Sequence, residues 1–176
     1  HLTNIALDAS AARLMHMGIF DKVIMAHAGA VRENLELIAS GKIQVEFCPM
    51  GSLAERIRAG GMGLGGVLVK TGLGTVAEEG KEKIQVNGET YLLETALRAD
   101  ISLVRAATAD HYGNLTYHGT ARNSNPIVAT AGELTIVQAD TFVPLDAVGP
   151  DNIVTPGIFV DMILDPALGE EGCCHE

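Results

Sequence analysis

The sequence predicts an α/β fold with a mostly parallel, mixed sheet flanked by helices and with a small β-hairpin insertion. Short aliphatic runs alternate with helical segments in the first third of the chain, an order typical of parallel sheets covered by helices. Further along, Asn87-Gly88 lies between two alternating runs and indicates a hairpin. With 176 residues and 47% hydrophobic content, the chain is expected to form a single domain over 1–176.

Three strand-helix pairs are predicted in the first part of the chain. The strands are expected at 2–7, 22–28 and 43–47, and the helices at 9–18, 31–40 and 52–60. Ser52 should cap the third helix, with Glu55 as its capping-box partner. Arg56 and Arg58 are then expected on a solvated face, the alternative being contact with an anionic ligand or a partner chain.

The second part of the chain predicts more strands. Beside the hairpin at 82–94, one strand is expected at GVLVK, directly after the glycine cluster. Further strands are expected at 101–107, 133–140 and 157–164. Pro126 should begin a helix that ends at residue 132, because proline is favoured in the first helical turn.

The charge and the cysteines restrict the partners and the location. A formal net charge of -10 repels phosphate backbones, so no nucleic-acid partner is expected. No apolar run approaches the roughly 18–20 residues that span a bilayer, and three cysteines make no even disulfide framework. We therefore expect a cytoplasmic protein without a membrane partner. Because His1 opens directly on a strand-like run, a natural N-terminal segment is expected to be missing.

A dense glycine cluster covers residues 60–74, which hold seven of the chain's 20 glycines. Glycine permits positive φ angles and close backbone approach. The GGMGLGG run does not fit a dinucleotide-binding fingerprint, because its glycines follow a helix and lead into a strand. We expect a backbone wall that lines a narrow pocket or an interface, the alternative being turn geometry alone.

A polar segment at 110–125 is the second candidate site. It combines two glycines with Asp110, Asn114, Arg122, Asn123 and Asn125. Such residues commonly serve only to close turns, and that alternative stays open for each of them.

Histidines and cysteines predict no metal site. Adjacent cysteines such as Cys173 and Cys174 rarely point at one ion, and no second ligand pair has suitable spacing. Among the scattered histidines, His27 at a strand end is the best candidate for a pocket residue.

Several of these segments share one resemblance. LAERIRAGG, GLGG with TGLGT, VAEEGKE, ADHYGNLTYHGTARNSNP and IVTPGIFVDMIL occur in this order over nearly the whole chain. Together they resemble the α subunit of a family I CoA-transferase of the acetate/acetoacetate (3-oxoacid) type.

The resemblance implies a ping-pong transfer of CoA through a glutamyl-CoA thioester. In the family the glutamate lies in a Ser-Glu-Asn-Gly motif of the β subunit, and this tetrapeptide is absent here. The stretch of sequence most similar to this motif surrounds Glu33, which is expected to be a surface residue of a helix. No catalytic residue is therefore expected in this chain. The implied partner is a β subunit in an α2β2 or higher hetero-oligomer, with CoA as substrate and no cofactor.

The resemblance also implies a set of site residues. The expected wall of the acyl pocket consists of Met50, Gly51, Gly60, Gly61, Gly63, Gly65, Gly66, Thr71 and Gly72. Asn114, Arg122 and Asn123 are expected to form a supporting polar loop. Met50 stands where many members have a glutamine, so a polar contact is replaced by apolar volume and the acyl preference is expected to differ.

Two functions from other classes stay open at this point. One is a self-sufficient sugar-phosphate isomerase that uses Glu78 or Glu79, although a solvated turn also accounts for both glutamates. The other is a non-catalytic ligand-sensing domain on a related scaffold.

Overall fold

The computed structural model describes residues 1–6, 9–28, 32–145 and 147–164, which form two compact units. Unit 1 comprises His1–Arg56 and Gly66–Thr95, and unit 2 comprises Ile57–Gly65 and the described residues from Ala96 onward. The α/β class is confirmed, but the strands of the described residues form three open sheets instead of one mixed sheet. The single domain and the missing N-terminal segment stay predictions.

Unit 1 contains a three-stranded parallel sheet. Its strands, in spatial order, are β1 (Leu2–Ala6), β2 (Lys22–His27) and β3 (Gln44–Phe47). The helices α1 (Ala9–His16) and α2 (Arg32–Ala39) lie in the two connections. The central strand is aliphatic, and Val23, Ile24 and Met25 are buried on it, as expected for a parallel sheet covered on both faces.

Unit 1 also contains a three-stranded antiparallel sheet. Its strands are β4 (Gly66–Val69), β5 (Lys83–Val86) and β6 (Glu89–Thr95), with β6 in the centre. Asn87 and Gly88 connect β5 to β6 with φ angles of 52° and 80°, so the hairpin prediction is confirmed.

The helix α3 (Met50–Gly61) begins earlier than expected. The Leu53 amide already donates to the Pro49 carbonyl at 2.8 Å, so Ser52 lies inside the first turn. The prediction that Ser52 caps this helix is therefore wrong. Its hydroxyl is buried and has no hydrogen-bond partner among the described residues.

Unit 2 is built on a four-stranded sheet. Its strands, in spatial order, are β10 (Met162–Leu164), β9 (Gly132–Val143), β7 (Ala99–Asp110) and β8 (Leu115–Thr116). The first three are parallel, and the short β8 is antiparallel to β7. One hydrophobic core contains Val104, Ala106, Val137 and Ala139 from the sheet together with Ala129 from a helix.

That helix, α4 (Ala121–Ala129), begins before the predicted start and contains Pro126 in its interior. Its first turn forms without proline, because the amides of Ala121 and Arg122 donate to the carbonyls of His118 and Gly119. The predicted strand at 157–164 is also corrected: a 3₁₀ turn at Gly157–Phe159 precedes the short β10. None of the described helices is long and apolar enough to cross a membrane.

One face of the unit 2 sheet is apolar and accessible. The register aligns Leu103 of β7 with Ile136 of β9, and Ile136 with Met162 of β10. Leu103 is 65% exposed and Met162 is 49% exposed. Parallel sheets are ordinarily covered on both faces, so this row is an unusual surface for a parallel sheet.

Candidate functional site

The glycines at the end of α3 lie against their own chain in unit 2. A Cβ atom on Gly60 would overlap the Leu97 carbonyl group, at 2.6 Å from its carbon. A Cβ on Gly61 would lie 2.6 Å from the Cβ of Thr130. Backbone packing within the unit therefore accounts for glycine at both positions. A role for either glycine in lining an acyl pocket stays a prediction.

The next two predicted wall residues of unit 2 face open space. Gly63 has a φ angle of 71°, which glycine adopts without strain, and a Cβ atom at Gly63 or Gly65 would meet nothing within 4 Å. At position 65, neither a positive φ angle nor close packing requires a glycine. These two positions leave backbone accessible to a ligand.

In unit 1, the loop after β4 is closed by its own polar groups. Gly72 and Gly74 have φ angles of 95° and 75°. The Gly74 amide donates to the Glu78 carboxylate at 2.7 Å, and the Lys83 ammonium lies 2.9 Å from the same carboxylate. These hydrogen bonds lower the pKa of Glu78. The Glu78 carboxylate therefore closes a turn. This structural role is the alternative to a role as nucleophile.

Four further wall candidates also belong to unit 1. Met50 is the first residue of α3 and is 47% exposed, while a Cβ on the neighbouring Gly51 would meet nothing within 4 Å. Gly66, by contrast, packs against the backbone, because its Cβ would lie 2.5 Å from the Glu94 carbonyl oxygen. Thr71 is exposed in the loop after β4. Met50 and Gly51 thus present an accessible helix start.

Arg56 is buried in unit 1, which corrects the prediction of a solvated face. Its side chain is 8% exposed, and its guanidinium donates to Glu46 at 2.6 Å and to the Thr95 carbonyl at 2.9 Å. Burial alone would lower the pKa of Arg56, but the hydrogen bond to Glu46 outweighs it and the pKa rises. Arg56 is therefore a fixed cation inside the unit, because its partners come from β3 and β6.

Two lysines complete this ionic network. Lys22 lies 2.5 Å from Glu46, and Lys81 lies 2.6 Å from Glu94, whose side chain is 2% exposed. Burial raises the pKa of Glu46, but hydrogen bonds from Lys22 and Arg56 reverse the effect and lower it. Sequence reasoning missed this network. The available signal was Glu94, which lies two positions after the buried Leu92 on β6 and therefore on the same, inward face of the strand.

The thiol of Cys48 lies at the end of β3 and is buried. Burial raises its pKa, so the thiol stays protonated at neutral pH. It does not supply a thiolate nucleophile.

The polar segment of unit 2 forms one tight loop. The Asp110 carboxylate accepts hydrogen bonds from the Tyr112 and Asn114 amides, both at 2.9 Å, and from the Asn114 side chain at 2.8 Å. The Asn114 oxygen in turn accepts from the Gly157 amide at 3.0 Å. Arg122 and Asn123 are exposed on α4. Asn114 thus closes a turn, and a site role for Asn114, Arg122 and Asn123 stays a prediction.

One open cavity of about 480 Å³ lies within unit 1. It is bordered by the end of β3, the end of β6 and the segment 76–82. The predicted wall residues do not line it. Its lining combines apolar and charged side chains.

The candidate histidine and the metal-site prediction both stay predictions. His27 is exposed at the end of β2. No group of His, Cys, Asp and Glu in the described ranges could hold a metal ion. Cys173 and Cys174 lie outside the described residues. Glu33 is exposed on α2, as expected.

Comparisons with known proteins identify the family. The sequence model described as Coenzyme A transferase matches residues 1–165. The chain belongs to this family. It is 46% identical over 158 residues to the alpha subunit of the acetate CoA-transferase of Escherichia coli K12, covering 90% of this chain and 72% of the relative. It is 43% identical to the acetoacetyl-CoA:acetate/butyrate CoA transferase alpha subunit of Clostridium acetobutylicum, covering 83% and 67%.

The fold of this CoA-transferase family member also resembles solved structures. A variant of the decarboxylase AibA/AibB superposes with a TM-score of 0.77, covering 94% of this chain and 66% of that one. At 23% identity this similarity shows the fold alone. The chain spans about two thirds of the length of the curated relatives that it matches, at 72% and 67%.

Proposed function

We propose that this chain is the alpha subunit of a heteromeric CoA-transferase. The complete enzyme moves CoA between a short-chain acyl-CoA, such as acetyl-, butyryl- or acetoacetyl-CoA, and a free carboxylic acid. The observation that carries the proposal is the 46% identity to the alpha subunit of an acetate CoA-transferase, within a family match over residues 1–165. The partner is a beta subunit, in an α2β2 or higher assembly in the cytoplasm.

The reaction proceeds in two halves. A glutamate carboxylate attacks the acyl-CoA thioester, the C–S bond breaks, and an acyl-glutamyl anhydride and CoA thiolate form. The thiolate then attacks the glutamyl carbonyl, which releases the first acid and leaves a glutamyl-CoA thioester. An incoming carboxylate repeats these steps in reverse order and leaves as the new acyl-CoA, so covalent catalysis divides one difficult transfer into easier steps.

The glutamate is supplied by the beta subunit. This proposal is supported by the absence of a Ser-Glu-Asn-Gly motif from this chain and by the engagement of Glu78, one of the two glutamates that could compete for the role. Glu78 closes a turn with the Gly74 amide and Lys83, and Glu94 is buried against Lys81. A carboxylate held in a hydrogen-bonded ion pair is a weaker nucleophile than one that is free to attack.

The alpha subunit contributes accessible backbone and apolar volume to the acyl pocket. In unit 1 the contribution comes from Met50 and Gly51 at the start of α3, with Thr71 and Gly72 in the loop after β4. In unit 2, taken by itself, Gly63 and Gly65 present accessible backbone that is proposed to contact substrate. Glycine at these positions lets a short acyl group approach the backbone, and amides without an internal hydrogen bond polarise the thioester oxygen. The Gly63 amide is not one of these donors, because it donates to the Gly60 carbonyl at 3.2 Å. No cofactor takes part, because the covalent steps use only carboxylates and CoA.

Steady-state kinetics of the two-chain preparation test the proposed reaction. With acetyl-CoA as donor and acetoacetate or butyrate as acceptor, double-reciprocal plots are expected to be parallel, as in a ping-pong scheme. Turnover of a phosphosugar by the chain alone would favour the isomerase alternative. Ligand binding without turnover in the presence of the beta subunit would favour a sensing domain.

A further inference from the structure

The open cavity of unit 1 has an exposed apolar rim. Phe47 at the end of β3 is 54% exposed, and Val76 in the loop segment after β4 is 82% exposed. Ala77 and the half-buried Leu93 of β6 also line the cavity. Large aliphatic and aromatic groups left in water beside a concave surface are typical of a contact site.

The same cavity carries carboxylates of two kinds. Glu46 and Glu94 line it, but each is balanced by an ion pair with Lys22, Arg56 or Lys81. Glu79 and Glu82 also line it and are exposed. Neither of these two carboxylates forms a hydrogen bond or an ion pair with any residue that the structure describes. Because three cations pair with Glu46 and Glu94, the cavity and its ion pairs keep one net negative charge, and the exposed Glu79 and Glu82 present it beside the apolar rim.

The apolar rim and the exposed carboxylates together restrict which chemical groups can bind in the cavity. A CoA phosphate or a free carboxylate is repelled by the two glutamates. A second copy of the chain is also a poor occupant, because each copy has a net charge of -10. An arginine or lysine side chain fits both features, since its aliphatic stem packs on apolar surface while its head group pairs with carboxylates.

We propose that this cavity is a docking site for a basic side chain of the beta subunit, carried on an apolar segment that covers Phe47 and Val76. The inference rests on the proposed function, because it takes the second subunit to be the partner. We choose this occupant because its positive charge is complementary to the exposed carboxylates of Glu79 and Glu82. The contact contributes to association rate and specificity in the way that oppositely charged surfaces do.

The test compares two matched charge variants of the full chain in binding to its beta subunit. The double variant Glu79→Gln/Glu82→Gln removes two exposed charges at the cavity. The control Glu33→Gln/Glu133→Gln removes two exposed charges elsewhere, one on α2 and one on β9. Affinity for the beta subunit is measured by titration calorimetry at low and high salt, and circular dichroism checks that all variants are folded.

The cavity variant is expected to weaken the Kd about tenfold or more at low salt and to reduce the salt dependence of binding, with the control within about twofold of the original. A third variant, Val76→Ser, tests the apolar rim without an ionic change and is also expected to weaken binding. Unchanged affinity of the cavity variant overturns the inference. Equal weakening by cavity variant and control assigns the effect to net charge and overturns it as well.

Two further outcomes separate this inference from the proposed function. If the unaltered chain does not bind a beta subunit, the proposed function fails and the inference fails with it. If the unaltered chain binds but Glu79→Gln/Glu82→Gln changes only self-association in sedimentation experiments, the occupant is a second copy. That result overturns the inference and leaves the proposed function standing.

Discussion

Removal of Arg56 should strongly lower the stability of unit 1. Its buried guanidinium pairs with Glu46 at 2.6 Å and lies 3.9 Å from Glu94. Arg56→Met leaves these carboxylates with one cation fewer, and removing one partner of a buried pair typically costs about 3–5 kcal/mol. Urea unfolding should show this loss. Arg32→Met is the matched control, because its pair with Glu36 is exposed on α2 and such pairs contribute roughly 0.5 kcal/mol or less. Similar losses in both variants would contradict the account.

Asp110 should make the stability of unit 2 depend on pH. Burial raises the pKa of this carboxyl, but hydrogen bonds from Asn114 and Tyr112 outweigh it and lower the pKa below its ordinary value. The carboxylate therefore stabilises the fold at pH above its pKa in the unfolded chain, and this contribution disappears as the pH falls through the lower pKa of the folded chain.

Asp110→Asn is consequently expected to lower stability at pH 7 by about 2 kcal/mol, as hydrogen bonds to a charged group are lost. The difference from the original chain should shrink as the pH is lowered to about 3. Thermal unfolding at both pH values measures it, with the exposed Asp151→Asn as control. A difference that does not change with pH would show that Asp110 stabilises the loop without its charge.

Met50 tests the proposed acyl pocket at the scale of one side chain. Because it is 47% exposed, Met50→Gln should leave folding unchanged. The proposal expects the ratio of kcat/KM between acetoacetate and butyrate to shift roughly several-fold, since an amide replaces apolar volume beside the acyl group. Acceptor competition assays with the two-chain enzyme measure the ratio. An unchanged ratio would place Met50 outside the pocket.

At the scale of elements, the end of α3 separates two kinds of glycine. Gly60→Ala should destabilise unit 2 by about 1–3 kcal/mol or more, because the added methyl overlaps the Leu97 carbonyl group and a backbone atom cannot move aside cheaply. Gly65→Ala meets no atom within 4 Å and should stay within about 0.5 kcal/mol of the original stability. Denaturant midpoints compare the two variants. Loss of stability in both would mean that Gly65 is also needed for the fold.

Local patterns predicted most elements because the physics that forms them is local. The aliphatic run of β2 predicts a buried strand, and the structure contains that strand. Asn87 and Gly88 favour the positive φ angles of a hairpin turn, and both residues have them. Helix starts were harder to predict. Ser52 and Pro126 are favoured near helix starts, but each lies inside a helix that begins on other residues, at Met50 and Ala121.

The ionic network of unit 1 depends on partners far apart in sequence. Arg56 and Glu46 are ten positions apart, and Arg56 donates to the carbonyl of a residue 39 positions away. A pattern within one helix assigns Arg56 to the polar face, and only the packed strands show that this face is covered. The glycine cluster was recognised from sequence, but its division into packed and accessible positions required coordinates.

At the scale of the whole molecule, the surface of the chain fits a component of a larger assembly. Its parallel sheet in unit 2 leaves Leu103 and Met162 about half exposed or more, at 65% and 49%. Its cavity in unit 1 presents the carboxylates of Glu79 and Glu82 without ionic partners among the described residues. Both features are expected of a chain whose exposed surface is covered by a second subunit, as proposed.

The most direct measurement of the central claim is a three-part assay of CoA transfer from acetyl-CoA to acetoacetate or butyrate. The first part contains the purified chain alone, the second adds the beta subunit, and the third adds a beta subunit whose motif glutamate is changed to alanine. We predict transfer only in the second part, because the proposed mechanism assigns the nucleophile and half of the pocket to the other chain. Robust transfer by the chain alone would contradict this account, and transfer in the third part would assign the nucleophile to this chain, with Glu78 or Glu79 as the candidates.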